Sequence, residues 1–131
     1  MRFVIKEDRV RGAISVISRD RFDPDDINRL CEDLARLELY REGAPILNDV
    51  RNVDFNVSTR DVIRATRAPV LVPQGRSSRS GIMLVGSSLG FGMARVFTSL
   101  RECEHASFHV TLSEDEAKAL WLDSRPVLET T

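Results

Sequence analysis

The residues most able to do chemistry fall into a glycine loop, an arginine stripe, a histidine pair and scattered serines and cysteines. The loop is Gly86-Ser87-Ser88-Leu89-Gly90-Phe91-Gly92. It joins a strand-like run to a helix-like run, the place where α/β proteins present backbone amides and a helix N-terminus to an anion. It lacks the Lys-Ser/Thr pair of a Walker loop and the G-x-G-x-x-G order of a dinucleotide site. Read structurally, the same glycines form a turn that lets a helix approach the sheet closely. Ser88, Gly90 and Phe91 are the ligand or partner candidates here. Phe91, at a helix start, would sit at a subunit contact or line a small apolar pocket.

Arg60, Arg64 and Arg67 recur at i, i+4 and i+7, which is one face of a helix. Arg76 and Arg79 follow in the next loop. Together they could hold a phosphate or an acidic partner. Alternatively they form a solvated face paired with acidic residues of the C-terminal segment. His105 and His109 would chelate a metal on a helix, but on a strand they lie about 13 Å apart. No H-E-x-x-H pattern or carboxylate-rich ligand set accompanies them, so no metal and no cofactor is expected. Cys31 falls on an apolar helical face, where cysteine acts as a small hydrophobe. Cys103 stands between Glu102 and Glu104, carboxylates that would raise a thiol pKa and so deactivate it. No G-x-S-x-G elbow is present. Ser58, Ser87, Ser88 and Ser113 all precede helical patterns, where serine caps the backbone. These readings lead to the expectation that the chain is not an enzyme.

The elements that must position these groups are legible in order. Phe3-Val4-Ile5 and Ala13-Ile14-Ser15-Val16-Ile17 read as strands joined by a charged turn ending at Gly12. Asp23 and Pro24 open a helix with Asp25 and Asp26 in its first turn. Ile27, Leu30, Cys31, Leu34 and Leu37 follow helical spacing, and Arg41-Glu42-Gly43 closes the helix on a left-handed glycine. Pro45 to Val50 reads as a central strand. Ser58-Thr59-Arg60-Asp61 has the form of a capping box opening a helix to about Arg67, with Val62, Ile63 and Ala65 inward. Ala68 to Arg79 carries two prolines and a glycine and cannot be one helix. Ser80 to Gly86 is a buried strand. After the glycine loop comes a helix with Met93, Ala94, Phe97 and Leu100 on one face. His105 to Leu112 is the last strand, and Ser113-Glu114-Asp115-Glu116 caps a helix with Ala117, Leu120 and Trp121 inward. The order β-β-α-β-α-β-α-β-α implies an α/β fold with a mostly parallel mixed sheet of about five strands, an antiparallel first hairpin and helices packed on the sheet.

Composition agrees with one domain spanning 1–131. The 131 residues are 42% hydrophobic and 30% charged, which excludes a disordered or collagen-like chain. The longest apolar runs, such as Ile82-Met83-Leu84-Val85, are far short of the ~20 residues of a membrane span. The first residues lack the apolar core of a signal peptide, so a cytoplasmic protein is expected. Net charge is −1 but segregated: residues 51–101 carry eight arginines against Asp54 and Asp61, and residues 102–131 carry seven acidic against two basic residues. Basic middle and acidic tail are expected to compensate each other within or between subunits. A pI near 6.1 argues against a nucleic-acid partner.

The element order, the strand Ile46-Leu47-Asn48-Asp49-Val50, then Val53-Asp54-Phe55 and a serine-capped helix resemble the STAS domain (sulfate transporter and anti-sigma factor antagonist). Leu89 to Phe97 and the ending Glu114 to Leu122 resemble the divergent bacterial SpoIIAA-like group. The resemblance covers nearly the whole chain. It implies a regulatory or protein-interaction domain of the anti-sigma-factor-antagonist kind, acting on a protein partner or on itself as a homodimer. It also implies a phosphorylation position at Ser58, with Val57 and Arg60 where the family motif has aspartate and glycine. The architecture is also similar to secretory lipid-carrier folds. That similarity implies an alternative, carriage of a small apolar or anionic ligand between Phe91, Met93, Phe97 and the basic loop 75–79, near the C-terminal strand ends.

Overall fold

The computed structural model describes residues 1–65, 79–101 and 106–123. In chain order the elements are β1 (Arg2–Asp8), β2 (Ala13–Arg21), α1 (Pro24–Ala35), α2 (Glu38–Arg41), β3 (Ile46–Asp54), α3 (Thr59–Ala65), β4 (Arg79–Leu84), α4 (Ser88–Arg101), β5 (Ala106–Thr111) and α5 (Glu114–Asp123). The strands form one sheet in the order β1-β2-β3-β4-β5. β1 pairs antiparallel with β2, and every later pair is parallel. The α/β class and the five-stranded mixed sheet are therefore as expected.

The alternation of β4 explains the layers. Ile82 and Leu84 point to one side, where they meet Leu47 of β3 and Ala117, Leu120 and Trp121 of α5. Met83 and Val85 point to the other, where they join Val50, Phe55, Val62 and Ala94. Farther along that second face, Ile14, Val16 and Ile46 pack under Leu30 and Leu34 of α1. Crossovers of one hand, in a strand order that never reverses, put α1, α3 and α4 on the same face. Among the described helices α5 alone covers the other.

Local chemistry accounts for the ends of the elements. The Asp23 carboxylate accepts a hydrogen bond from the Asp25 amide at 2.8 Å, and Pro24 occupies the first helical position. α1 does not run on to Gly43 as the spacing predicts. It stops at Ala35, Leu37 takes an extended backbone, and a short helix follows. In an unbroken helix Tyr40 would sit roughly 120° around from Leu34; the break turns Tyr40 into the core beside Ala44. Gly43 then adopts the expected left-handed conformation, φ 86°.

β3 is longer than the expected Pro45–Val50 segment. Ile17 pairs with Asp49 and Arg19 with Asn52, so two residues of β3, Val50 and Arg51, oppose Ser18 alone. This is a β-bulge. It reverses the alternation, so that Val50, Val53 and Phe55 all face the helix-covered core. Two inward assignments also change: Ile63 and Leu100 are exposed. Leu120 and Trp121 face inward as expected, partly buried against the cluster of Leu47, Ile82, Leu84 and Ala117. Trp121 still anchors α5, its indole Nε1 donating to the Pro45 carbonyl at 3.2 Å.

Two glycines predict opposite effects. A Cβ on Gly86 would lie 2.8 Å from the Arg51 carbonyl oxygen, which is fixed backbone. A Cβ on Gly92, inside α4, would meet nothing within 4 Å. Gly86→Ala should therefore destabilise by about 1–3 kcal/mol, and Gly92→Ala should stabilise by about 0.5–1 kcal/mol. Urea denaturation of the two variants checks both signs.

Candidate functional site

The glycine loop is helix, not cradle. α4 begins at Ser88 and takes in Leu89 to Gly92 as its first turn. The Ser87 hydroxyl, and not that of Ser88, accepts the Gly90 amide at 3.0 Å, and the Phe91 amide donates to the Ser87 carbonyl at 2.8 Å. Those amides are spent within the protein. Gly90 is buried, with its missing Cβ 3.5 Å from the Phe55 ring and 3.2 Å from the Ser87 hydroxyl, which is the close-packing role. Phe91 packs against the main core cluster and is partly buried. A strand order without reversal also lacks the switch-point crevice in which open α/β sheets bind ligands.

The other serines behave alike. The Ser58 hydroxyl accepts the Asp61 amide at 3.2 Å, and the Ser113 hydroxyl accepts the Glu116 amide at 3.2 Å. Ser58 and Ser88 are both exposed.

The arginine stripe divides. Arg60 and Arg64 lie exposed on α3, while Arg67 and Arg76 fall outside the described residues and Arg79 is the first residue of β4. The expected pairing of the stripe with the acidic C-terminal segment does not occur among the described residues. α3 lies on one face of the sheet and the acidic start of α5 on the other. Neither Arg60 nor Arg64 makes an ion pair there. Their side chains, with Thr59, Asp61 and Ile63, rim a shallow surface depression. Ile63 is 45% exposed, so the surface is an apolar residue flanked by Arg60 and Arg64, with Asp61 the one carboxylate among its described lining residues.

Charge compensation runs instead through Arg51, which sequence reading did not single out. Its guanidinium bonds both oxygens of Asp49, at 3.0 and 2.8 Å, and reaches Glu114 of α5 at 3.2 Å. Lys118 closes the network on Glu114 at 3.1 Å. The Arg51 hydrogen bond holds the Asp49 carboxyl below its ordinary value against a smaller opposing effect of burial. Glu114 is held low first by Lys118 and then by Arg51, and Arg51 itself is raised by Asp49. Strand alternation from Leu47 and Asp49 puts Arg51 on the α5 face; the two-residue offset from Asp49 was the only hint in the chain.

His109 of β5 and Glu116 of α5 make a second pair, Nε2 to Oε1 at 2.6 Å, half exposed. A histidine held by a carboxylate is the orienting half of an acid–base device. Among the described residues no hydroxyl or thiol hydrogen-bonds to this ring. His105 and Cys103 lie outside the described residues. Among those described, no group of three His, Cys, Asp or Glu is arranged to hold a metal ion, and no helix is long and apolar enough to cross a membrane.

A last feature is interior. Beneath α1 lies a cavity of about 110 Å³, walled by Leu30, Leu34 and Phe97 over a floor from β2 and β3. It includes Phe97 but not Phe91 or Met93, so it is not the pocket expected near the strand ends.

Compared with family models, with curated proteins and with solved structures, the chain finds no match.

Asp49 has a depressed folded-state pKa, so its contribution to stability is present above the unfolded value near 3.9 and is lost as pH falls through the folded value. Arg51→Met should cost about 0.5–1 kcal/mol near neutral pH, as befits a half-exposed network. The deficit should shrink below about pH 4. Denaturant titrations at neutral and acid pH test this; an equal deficit at both would place the cost in lost packing alone.

Proposed function

We propose that the chain is a non-enzymatic regulatory or protein-interaction domain of STAS-like type, using α3 and its Ser58 start as the contact surface. The observation that carries this reading is the exposed Ile63 between Arg60 and Arg64, cations with no ion-pair partner among the described residues. An apolar centre with a basic rim suits an acidic protein surface, on another protein or on a second copy of this chain. The order of strands and helices supports the STAS-like assignment, and Ser58 on the family's phosphorylation position supports a switch. A phosphate there would add about two negative charges to the set Arg60, Asp61 and Arg64 and turn its net charge from positive to negative.

Ser58→Ala should cost about 0.5–1 kcal/mol through the lost cap and leave partner binding intact. Ser58→Asp, and the double variant Arg60→Glu/Arg64→Glu, should each weaken binding at least tenfold, on the order of the loss from reversing rim charges. The measurement is quantitative pull-down followed by titration of the recovered partner, with Arg36→Glu as a remote control and light scattering to register self-association. Equal binding by all variants would refute the surface. Turnover of a metabolite, abolished by His109→Ala, would refute the non-enzymatic reading.

A second reading, carriage of a small apolar ligand, is favoured by the interior cavity beneath α1. Native mass spectrometry of freshly purified protein separates a carried molecule from a clean apo mass.

A further inference from the structure

The cavity beneath α1 has a polar floor inside apolar walls. Ser18 of β2 is 3% exposed, and Asn48 of β3 is partly buried. Both line the cavity. Val16 pairs with Asn48, and Ser18 lies two residues on from Val16. The two side chains are thus diagonal neighbours on the helix-covered face. Ser18 also faces the bulge of β3, where Val50 and Arg51 stand opposite it. Neither side chain hydrogen-bonds to another described residue.

Such groups are costly. A buried hydroxyl or amide without a partner forfeits its bonds to water and is rarely left so in a native protein. Water alone is a poor remedy here. A buried water needs two to four polar partners, and a volume of about 110 Å³ is several times the ~30 Å³ share of one water. One molecule could bridge Ser18 and Asn48, but most of the remaining lining is apolar, Leu30, Leu34, Val50 and Phe97 among it. Met1 lines the cavity, but its ammonium is already paired with Asp26 at 2.7 Å, so among the described residues an ionised ligand would find no free counter-charge there.

The geometry points to a binding site for a small neutral amphiphile: a benzene-sized apolar body bearing one hydroxyl or carbonyl-type group that hydrogen-bonds Ser18 and Asn48. Serine and asparagine each offer both a donor and an acceptor, so the pair matches a hydroxyl, which also needs both. The volume sets the upper size: about 110 Å³ is less than the ~150 Å³ apolar cavity that takes up benzene, so a single ring is the limit. This inference rests on the carriage reading and adds to it the polarity and charge of the ligand. It is independent of the α3 surface.

The test uses phenol and toluene, which share a shape and differ by hydroxyl against methyl. Each is titrated into the ¹⁵N-labelled full chain, following the amides of Ser18, Asn48, Val50 and Leu34. Both probes should give saturable shifts at these positions. Ser18→Ala and Asn48→Leu should each reduce the preference for phenol relative to toluene about three- to tenfold, the effect of one neutral hydrogen bond, with toluene affinity within about twofold of wild type. Ser18→Ala should not lower the melting temperature, because the hydroxyl it removes has no hydrogen-bond partner among the described residues. Absence of saturable shifts with both probes in the wild-type protein would overturn the carriage reading and the inference together. Binding of both probes with an unchanged preference in the two variants would overturn the polar-floor inference and leave carriage standing.

Discussion

The structure depends on β4 being buried on both faces. Ile82 and Leu84 are nearly inaccessible on one side, and Met83 and Val85 on the other. A strand in that position leaves no solvated face, so helices must cover the sheet above and below. The upper layer follows from the chain itself, through repeated crossovers of one hand. The lower layer depends on α5, which is held near its start by the Arg51–Glu114 pair and near its end by Trp121 on Pro45. α5 packs on β3, β4 and β5, while the paired side chains Val4 and Ile17 at the β1 edge stay exposed.

This architecture redirects the search for function. An unreversed strand order opens no crevice at the carboxyl edge, and each of the helix starts α3, α4 and α5 has one amide committed to a serine cap. Polar capacity left unspent lies elsewhere. On the outside it is the pair of arginines around Ile63, separated from the acidic start of α5 by the thickness of the sheet. On the inside it is Ser18, buried under α1, with the partly buried Asn48 beside it. The two surfaces are independent, one suited to a macromolecular partner and one to a small neutral molecule.

Much of the fold is legible in the chain because its signals are local. The Asp23-Pro24 start, the serine caps and the left-handed Gly43 each act over three or four residues, so their spacing carries the information. Where local rules fail, the cause is a neighbour distant in sequence. Helical periodicity from Ile27 to Leu37 is real, yet Tyr40 is buried only because the chain breaks at Leu37. Strand alternation fails after Val50, and pairing with β2 is what reveals a bulge in place of a turn. The glycines of residues 86–92 resemble an anion loop in composition, but Gly86 answers to the backbone of Arg51 and Gly90 to the ring of Phe55.

The chain alone therefore determined the α/β order, the caps and the two-sided burial of β4, all consequences of short-range periodicity and backbone chemistry. Only the tertiary structure decided which charges meet. Net charge over a segment says nothing about the face on which a helix lands, and crossover handedness put Arg60 and Arg64 opposite α5 while α5 landed on the face of β3 that carries Arg51. The cavity and its floor were likewise beyond sequence, because a void and an unpartnered hydroxyl are defined by what fails to reach them across the packed layers.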